Sequence, residues 1–365
     1  MSALERIRAV LRREKLARAP FVPNEDLIPR GEAERHLRER GMGLCLASCA
    51  TAWSAWPNCA TFTKRQGDAV LVTWRTPAGT VSRRRVCRPG PDSTAQAHTW
   101  LESWIKTEQD FGPVIAMLDD ETFYPDPLAH DYARRDLGQD GVVKVAGILA
   151  PLEASYVYFD NGSVEGYEKW MRAQSEHPGP FARLLAALEA REERRLQAIK
   201  DSPGEVMSLP GIGKCSAAQF EQQTLPFLRR VIPLLKRPGL SLALEIEAAS
   251  IRAFRDLIPQ TGVDVVSGLI PPPYGDLSLR EARAAWGDQL VIWVSFPSQV
   301  FWQGAEATRR YTLELLESDP GGPLVLGMTS LWRPMDEDDE TAAIVGAGLS
   351  AVLDAIEGFS AGGSI

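Results

Sequence analysis

Apolar residues recur along this chain in two rhythms. Leu4, Ile7, Val10 and Leu11 share one helical face within the first 20 residues, and that helix ends at Ala19-Pro20, because the residue before proline avoids the helical region. Phe21-Val22-Pro23 reads as a short extended segment running into Asn24-Glu25-Asp26. Residues 42–92 differ in texture: they hold three of the ten tryptophans, four of the five cysteines and two predicted strands, Ala69–Arg75 and Thr80–Val86. The turn Thr76–Gly79 joins those strands as a hairpin. Residues 94–125 read as mostly helical and acidic.

From residue 141 the rhythm becomes regular. Gly141–Leu149 is a β-branched apolar run, a helix follows near 164–173, and Phe181, Leu184, Leu185, Leu188, Leu196 and Ile199 mark one face of a long helix. Predicted strands at Val206–Leu209, Leu240–Ile246, Val263–Leu269, Leu290–Ser295 and Pro323–Met328 then alternate with predicted helices. These helices cover Ala217–Lys236, Ala249–Ile258, Leu277–Trp286 (with Asp276 near its start), Ala305–Leu316 and about Glu337 to Ile356. Short connections between nearly continuous apolar strands are what a parallel sheet buried on both faces requires. Seven visible strands and one hidden predict an α/β chain folded as a (β/α)8 TIM barrel. It is read as a single domain over 1–365, with a helical and β-hairpin elaboration at about 42–125. The competing open, doubly wound sheet would carry a glycine-rich phosphate turn after its first strand, and none is present.

Composition narrows the function classes. Forty basic against 48 acidic side chains leave −8, which argues against a general nucleic-acid binder. No uninterrupted run of 18 apolar residues occurs, and the charged N-terminal helix does not resemble a secretory signal, so a cytoplasmic protein with no membrane partner is expected. An odd cysteine count in a long chain does not read as a disulfide framework.

In a barrel, chemistry hangs from the C-terminal ends of strands. That rule selects Asn24, Glu25 and Asp26, Glu245 and Glu247, Ser267, Ser295, and Met328 to Ser330. Glu245 and Glu247, two apart at a strand end, share one side of the strand. Either they form a repelling pair, one with a raised pKa suited to acid–base work, or one caps the next helix while the other meets solvent. The loop Pro271–Asp276 fixes Tyr274 and Asp276 near the mouth, and Trp293, Trp302, Trp332 and Phe296 are candidates for an aromatic wall. Cys45 and Cys49 read as one turn apart on a helix, and their spacing to Cys59 matches no common zinc pattern. All four histidines precede residue 180, so no histidine triad or zinc site arises from the later strands. Arg83-Arg84-Arg85 looks like an anion site, but in a predicted hairpin strand such a run is more often a solvated edge.

Ala17-Arg18-Ala19-Pro20-Phe21, Thr76-Pro77-Ala78-Gly79-Thr80 and Ile105–Asp110, in that order, make up part of a pattern that runs the length of the chain. It continues through Pro271-Pro272-Pro273-Tyr274-Gly275-Asp276-Leu277-Ser278-Leu279 and Gly287-Asp288. This pattern resembles the uroporphyrinogen decarboxylase superfamily, in the branch that includes cobalamin-linked methyltransferases. The resemblance implies a (β/α)8 barrel and, in place of a monomer, a dimer. For the decarboxylase it implies an arginine-rich loop after the first strand. This chain has Asn24-Glu25-Asp26 there, which would repel a polycarboxylate. For the methyltransferases it implies His-x-Cys and a late Cys around zinc. This chain has Glu245 and Glu247, and Met328-Thr329 at the late place, so the thiolate ligands are missing.

The expected function is therefore transfer of a methyl group from a small O- or N-methylated substrate to a corrinoid on a partner protein. Glu245 and Glu247 would supply acid–base or oxygen-ligand chemistry, and Asn24, Glu25, Tyr274, Asp276, Trp293, Trp332 and Arg333 would shape the pocket. A carboxy-lyase with Arg333 as its cationic clamp, and a non-catalytic binding barrel, are the rival expectations.

Overall fold

The apolar runs after residue 140 become neighbours in one parallel sheet. The computed structural model describes residues 1–88, 97–331 and 339–362, and in it that sheet has eight strands. They are β1 (Phe21–Pro23), β2 (Leu44–Cys49), β3 (Gly141–Ala146), β4 (Val206–Ile212), β5 (Ser241–Ile246), β6 (Val265–Leu269), β7 (Val291–Ser295) and β8 (Leu324–Met328). β2 to β8 pair in chain order, and β8 pairs with β1. The last gap is bridged by a parallel contact between Asn24 and Cys45, and by the Gly43 N–H donating to the Phe21 carbonyl at 2.8 Å. The cylinder is closed, as the (β/α)8 reading required.

Side chains alternate inward and outward along each strand, so the interior sorts into layers. Val142, Val206, Ala243, Val265, Val291 and Val325 form an apolar layer near the strand starts, plugged by Ile7 and Val10. Those two come from the helix Ala3–Leu11, whose first turn is secured by a capping box between Ser2 and Glu5. Two residues further along each strand the inward positions are Lys144, Ser208, Glu245, Ser267, Trp293 and Gly327. Apolar chemistry gives way there to polar chemistry, on the side facing the C-terminal mouth.

The chain divides into two compact units. The barrel unit comprises Met1–Thr51, Asp126–Gly147 and Ser202–Ile365, and the second comprises Ala52–Pro125 and Ile148–Asp201. The second holds a four-stranded antiparallel sheet (Ala60–Gln66, Ala69–Thr76, Gly79–Arg88, Ala97–Trp100), a ribbon of Ala52–Ala55 with Thr122–Pro125, and helices Phe111–Asp120, Val164–Glu176 and Pro178–Ile199. The predicted hairpin is present, with Thr76 opposite Gly79.

Four local readings need correction. Cys45 and Cys49 lie on strand β2, the hidden eighth strand, not on a helix; its register shifts between Leu46 and Cys49, where Ser48 takes φ 60°. No α-helix covers 249–258: short 3-10 turns at Arg252–Phe254 and Ile258–Thr261 replace it, because the Asp276 carboxylate accepts the backbone N–H groups of Ile251 and Arg252. Residues 94–125 carry one α-helix among the described residues, Phe111–Asp120. Finally, Arg83 lies on an inner strand, not an edge, with its guanidinium 3.2 Å from the Trp100 ring centroid; burial brings its pKa down to about 10.

The last helix, Asp339–Gly362, is long and apolar enough to cross a membrane by length and composition. Its Val345, Leu349, Val352 and Leu353 are buried, and a Cβ on Gly348 would collide with the Phe301 ring. Both observations suit a helix packed on a protein core.

Candidate active site

The polar layer of the barrel is held together by one ammonium group. Lys144 Nζ donates to Glu245 Oε1 at 2.9 Å and to Ser267 Oγ at 2.7 Å, and lies 4.5 Å from the centroid of the Trp293 ring. Ser208 Oγ donates to the same carboxylate oxygen at 2.8 Å. The four polar groups come from β3, β4, β5 and β6, and Trp293 from β7, so five adjacent strands build the cluster. Gly327 on β8 makes room for the indole, since a Cβ there would collide with Trp293 Nε1.

The electrostatics follow from burial and pairing. Burial alone would push the Glu245 carboxyl up, but the Lys144 charge and the hydrogen bonds outweigh it and hold the group below the ordinary carboxylate value. Burial likewise opposes the charge on Lys144, and Glu245 reverses the effect, so the lysine pKa is raised. At neutral pH the pair is ammonium and carboxylate. The raised-pKa glutamate expected from the repelling pair is therefore corrected: the neighbour of Glu245 is a cation. Glu247 stands one residue past the end of β5, exposed, with its N–H bonded to the Ile212 carbonyl at 2.8 Å.

A buried ion pair aimed at the C-terminal end of a closed eight-stranded cylinder is the geometry to set beside known structures. A methyltransferase from Methanosarcina mazei, 13% identical, aligns over 98% of this chain and 99% of its own with a TM-score of 0.55. What the two share is the fold. A B12-independent methionine synthase from Shewanella sp. W3-18-1, 10% identical over 93% and 97% of the two chains, reaches a TM-score of 0.43, too low to bear on the comparison. No protein-family model matches the sequence, and no curated protein matches it.

The other predicted site residues take distinct places. Asn24, at the end of β1, bonds through its N–H to the Met328 carbonyl at 2.9 Å and helps close the barrel. Glu25 is half-buried 3.3 Å from Arg30, and burial outweighs that arginine in raising its pKa. Ser295 and Thr329 share a hydrogen bond of 2.7 Å at the ends of β7 and β8. Tyr274 is half-buried, its hydroxyl accepting from Gln303 Nε2 at 2.8 Å. Asp276 is engaged by the 250–252 loop, taking Ser250 Oγ at 2.6 Å and the two backbone N–H groups named above. Burial pushes its pKa up, but these bonds pull it below the usual range. Trp293 is 2% exposed and lies inside the barrel against the lysine, not on an open wall. Trp332 and Arg333 lie outside the described residues.

Zinc does not fit this cluster. Glu245 is already bound by an ammonium group, and burial pushes the nearby Cys45 thiol up to about 12, far from a thiolate. Among the described residues no three His, Cys, Asp or Glu side chains converge on a metal position.

Sequence reasoning missed Lys144 and Ser208 and named Ser267 only as a strand-end candidate. The signal was there: Lys144 is the one charged letter in the run Gly141–Leu149. A charge inside a strand buried on both faces needs a partner.

Proposed function

We propose that this chain is a methyltransferase-type enzyme that removes a methyl group from a small methylated substrate and delivers it to a corrinoid carried by a partner protein. The observation that carries the reading is the ionised Lys144–Glu245 pair facing the mouth of a barrel of the same fold as the Methanosarcina methyltransferase. The bound corrinoid would supply the nucleophile that accepts the methyl group.

The charge state of the pair favours one of the two substrate types. An O-methyl substrate leaves as an alkoxide and needs a proton. Glu245, held ionised, cannot give one, and Lys144 is engaged by Glu245 and Ser267. A methylated ammonium leaves as a neutral amine and needs none. The Glu245 side chain keeps 16% exposure, and its carboxylate would hold such a cationic head. Lys144, Ser208 and Ser267 fix the orientation of that carboxylate. Acid catalysis by Glu245 thus gives way to electrostatic positioning.

The test supplies tetramethylammonium, trimethylamine or methanol to the purified protein together with reduced cobalamin, and follows the cobalamin spectrum. Methyl transfer from the ammonium substrate, falling about a hundredfold in Glu245→Gln, is the expected result. Carbon dioxide release from a carboxylated substrate without any acceptor would replace the reading with a lyase. Ligand affinity without turnover, unchanged in Glu245→Gln, would replace it with a binding role.

A further inference from the structure

At the other end of the barrel, where the strands begin, a cleft of about 540 Å³ opens, within the span of roughly 300–1,000 Å³ usual for small-molecule sites. Its walls carry Arg8, Arg12, Arg13, His130, Glu205 and Asp264. Three guanidinium groups reach it from the end of the first helix. Arg13 does so from φ 64°, a left-handed conformation that favours glycine and that a long side chain rarely adopts.

Two residues of its walls carry buried polar atoms that the protein leaves unsatisfied. Glu205 is 7% exposed; its Oε1 accepts from Arg8 at 2.8 Å and Arg134 at 3.4 Å, while its Oε2 has no hydrogen-bond partner. Neither ring nitrogen of His130 has one. Asp131, largely exposed, stands 3.8 Å from His130 Nδ1, beyond hydrogen-bond reach. Buried polar atoms without partners are uncommon, and several in one cavity wall mark where a ligand would supply the missing bonds. The charge balance says what kind of ligand. Asp264 meets Arg13 at 3.5 Å and Lys236 at 2.7 Å, and Arg12 meets Glu14 at 2.6 Å. Of the charged residues on its walls, the three arginines Arg8, Arg12 and Arg13 outnumber the two carboxylates Glu205 and Asp264, in a chain whose net charge is −8.

We propose that this cleft binds a small phosphate monoester that carries free hydroxyl groups. The phosphate sits against the arginines, which present planar donors suited to it. A hydroxyl donates to Glu205 Oε2, and the imidazole of His130 takes the remaining hydroxyl contacts. The site lies at the far end of the barrel from the Lys144–Glu245 pair and does not depend on the reaction proposed there.

Isothermal titration of the full chain with ribose 5-phosphate, AMP, inorganic phosphate and ribose tests the idea. Saturable binding of at least one of the two monoesters is expected, with inorganic phosphate about tenfold weaker or more and ribose silent. Tighter binding of AMP identifies a nucleotide; tighter or equal binding of ribose 5-phosphate identifies a sugar phosphate. Arg12→Gln, and Arg13→Gly, which suits the left-handed backbone, should each weaken the monoester about tenfold with an unchanged circular dichroism spectrum. Glu205→Gln should weaken the monoester more than it weakens inorganic phosphate; if that variant fails to fold, the two arginine variants carry the test. No saturable heat with either monoester, or affinities unmoved in Arg12→Gln and Arg13→Gly, overturns the proposal.

Discussion

Lys144 and Glu245 are useful to each other only while both remain. Lys144→Met would leave a buried carboxylate without its cation, which costs about 3–5 kcal/mol. Adding Glu245→Gln to the same chain should recover most of that loss, because it removes the uncompensated charge. Urea unfolding of the wild type and the two variants reads the difference directly. The pair also fixes a pH window. Glu245 has a lowered pKa, so its contribution is present above the ordinary value of 4.5 and disappears as pH falls through the folded value. Lys144 has a raised pKa, so its contribution is present below 10.5 and disappears as pH rises through its folded value. Between those limits this contribution is flat. The double variant should lack both flanks in a plot of melting temperature against pH, and identical flanks in wild type and double variant would contradict the ion pair.

Among the elements, the later strands were readable because each is a continuous apolar run between turn signals. β4 to β8 sit within a few residues of their predicted places, and so do the helices between most of them. β2 was not readable. Its bulge at Ser48 breaks the alternation that marks a strand, and two cysteines one helical turn apart imitate a helix face. The helix expected over 249–258 failed for another reason. Asp276, distant in sequence, captures the backbone amides there, and local propensity carries no trace of that bond. The candidate site was legible to the same extent: strand-end logic found Glu245 and Ser267, and Trp293 was named only for an aromatic wall, but the lysine that holds Glu245 ionised was not found. Strand β8 offers its own test. Gly327→Ala places a methyl group where the Trp293 indole lies, so the variant should lose about 1–3 kcal/mol and shift the tryptophan emission. Unchanged stability and emission would mean that the indole is free to move.

At the scale of the molecule, neither unit is one continuous stretch of chain. The second unit joins Ala52–Pro125 to Ile148–Asp201, and the barrel unit is assembled from three segments. Expressed alone, residues 52–125 should therefore show no cooperative thermal transition by circular dichroism, because the helices of 148–201 belong to the same unit. A sharp transition in that fragment would show that its sheet and the helix Phe111–Asp120 suffice. The barrel unit, in turn, keeps unlike chemistry at its two ends: an ion pair facing the mouth, and an arginine-walled cleft where the strands begin. Across descent, the vacant space at position 327 and the indole at position 293 behave as a single inherited trait. A lineage that gains bulk at the first must shed it at the second, so sequences related to this one will show the two columns drifting in step.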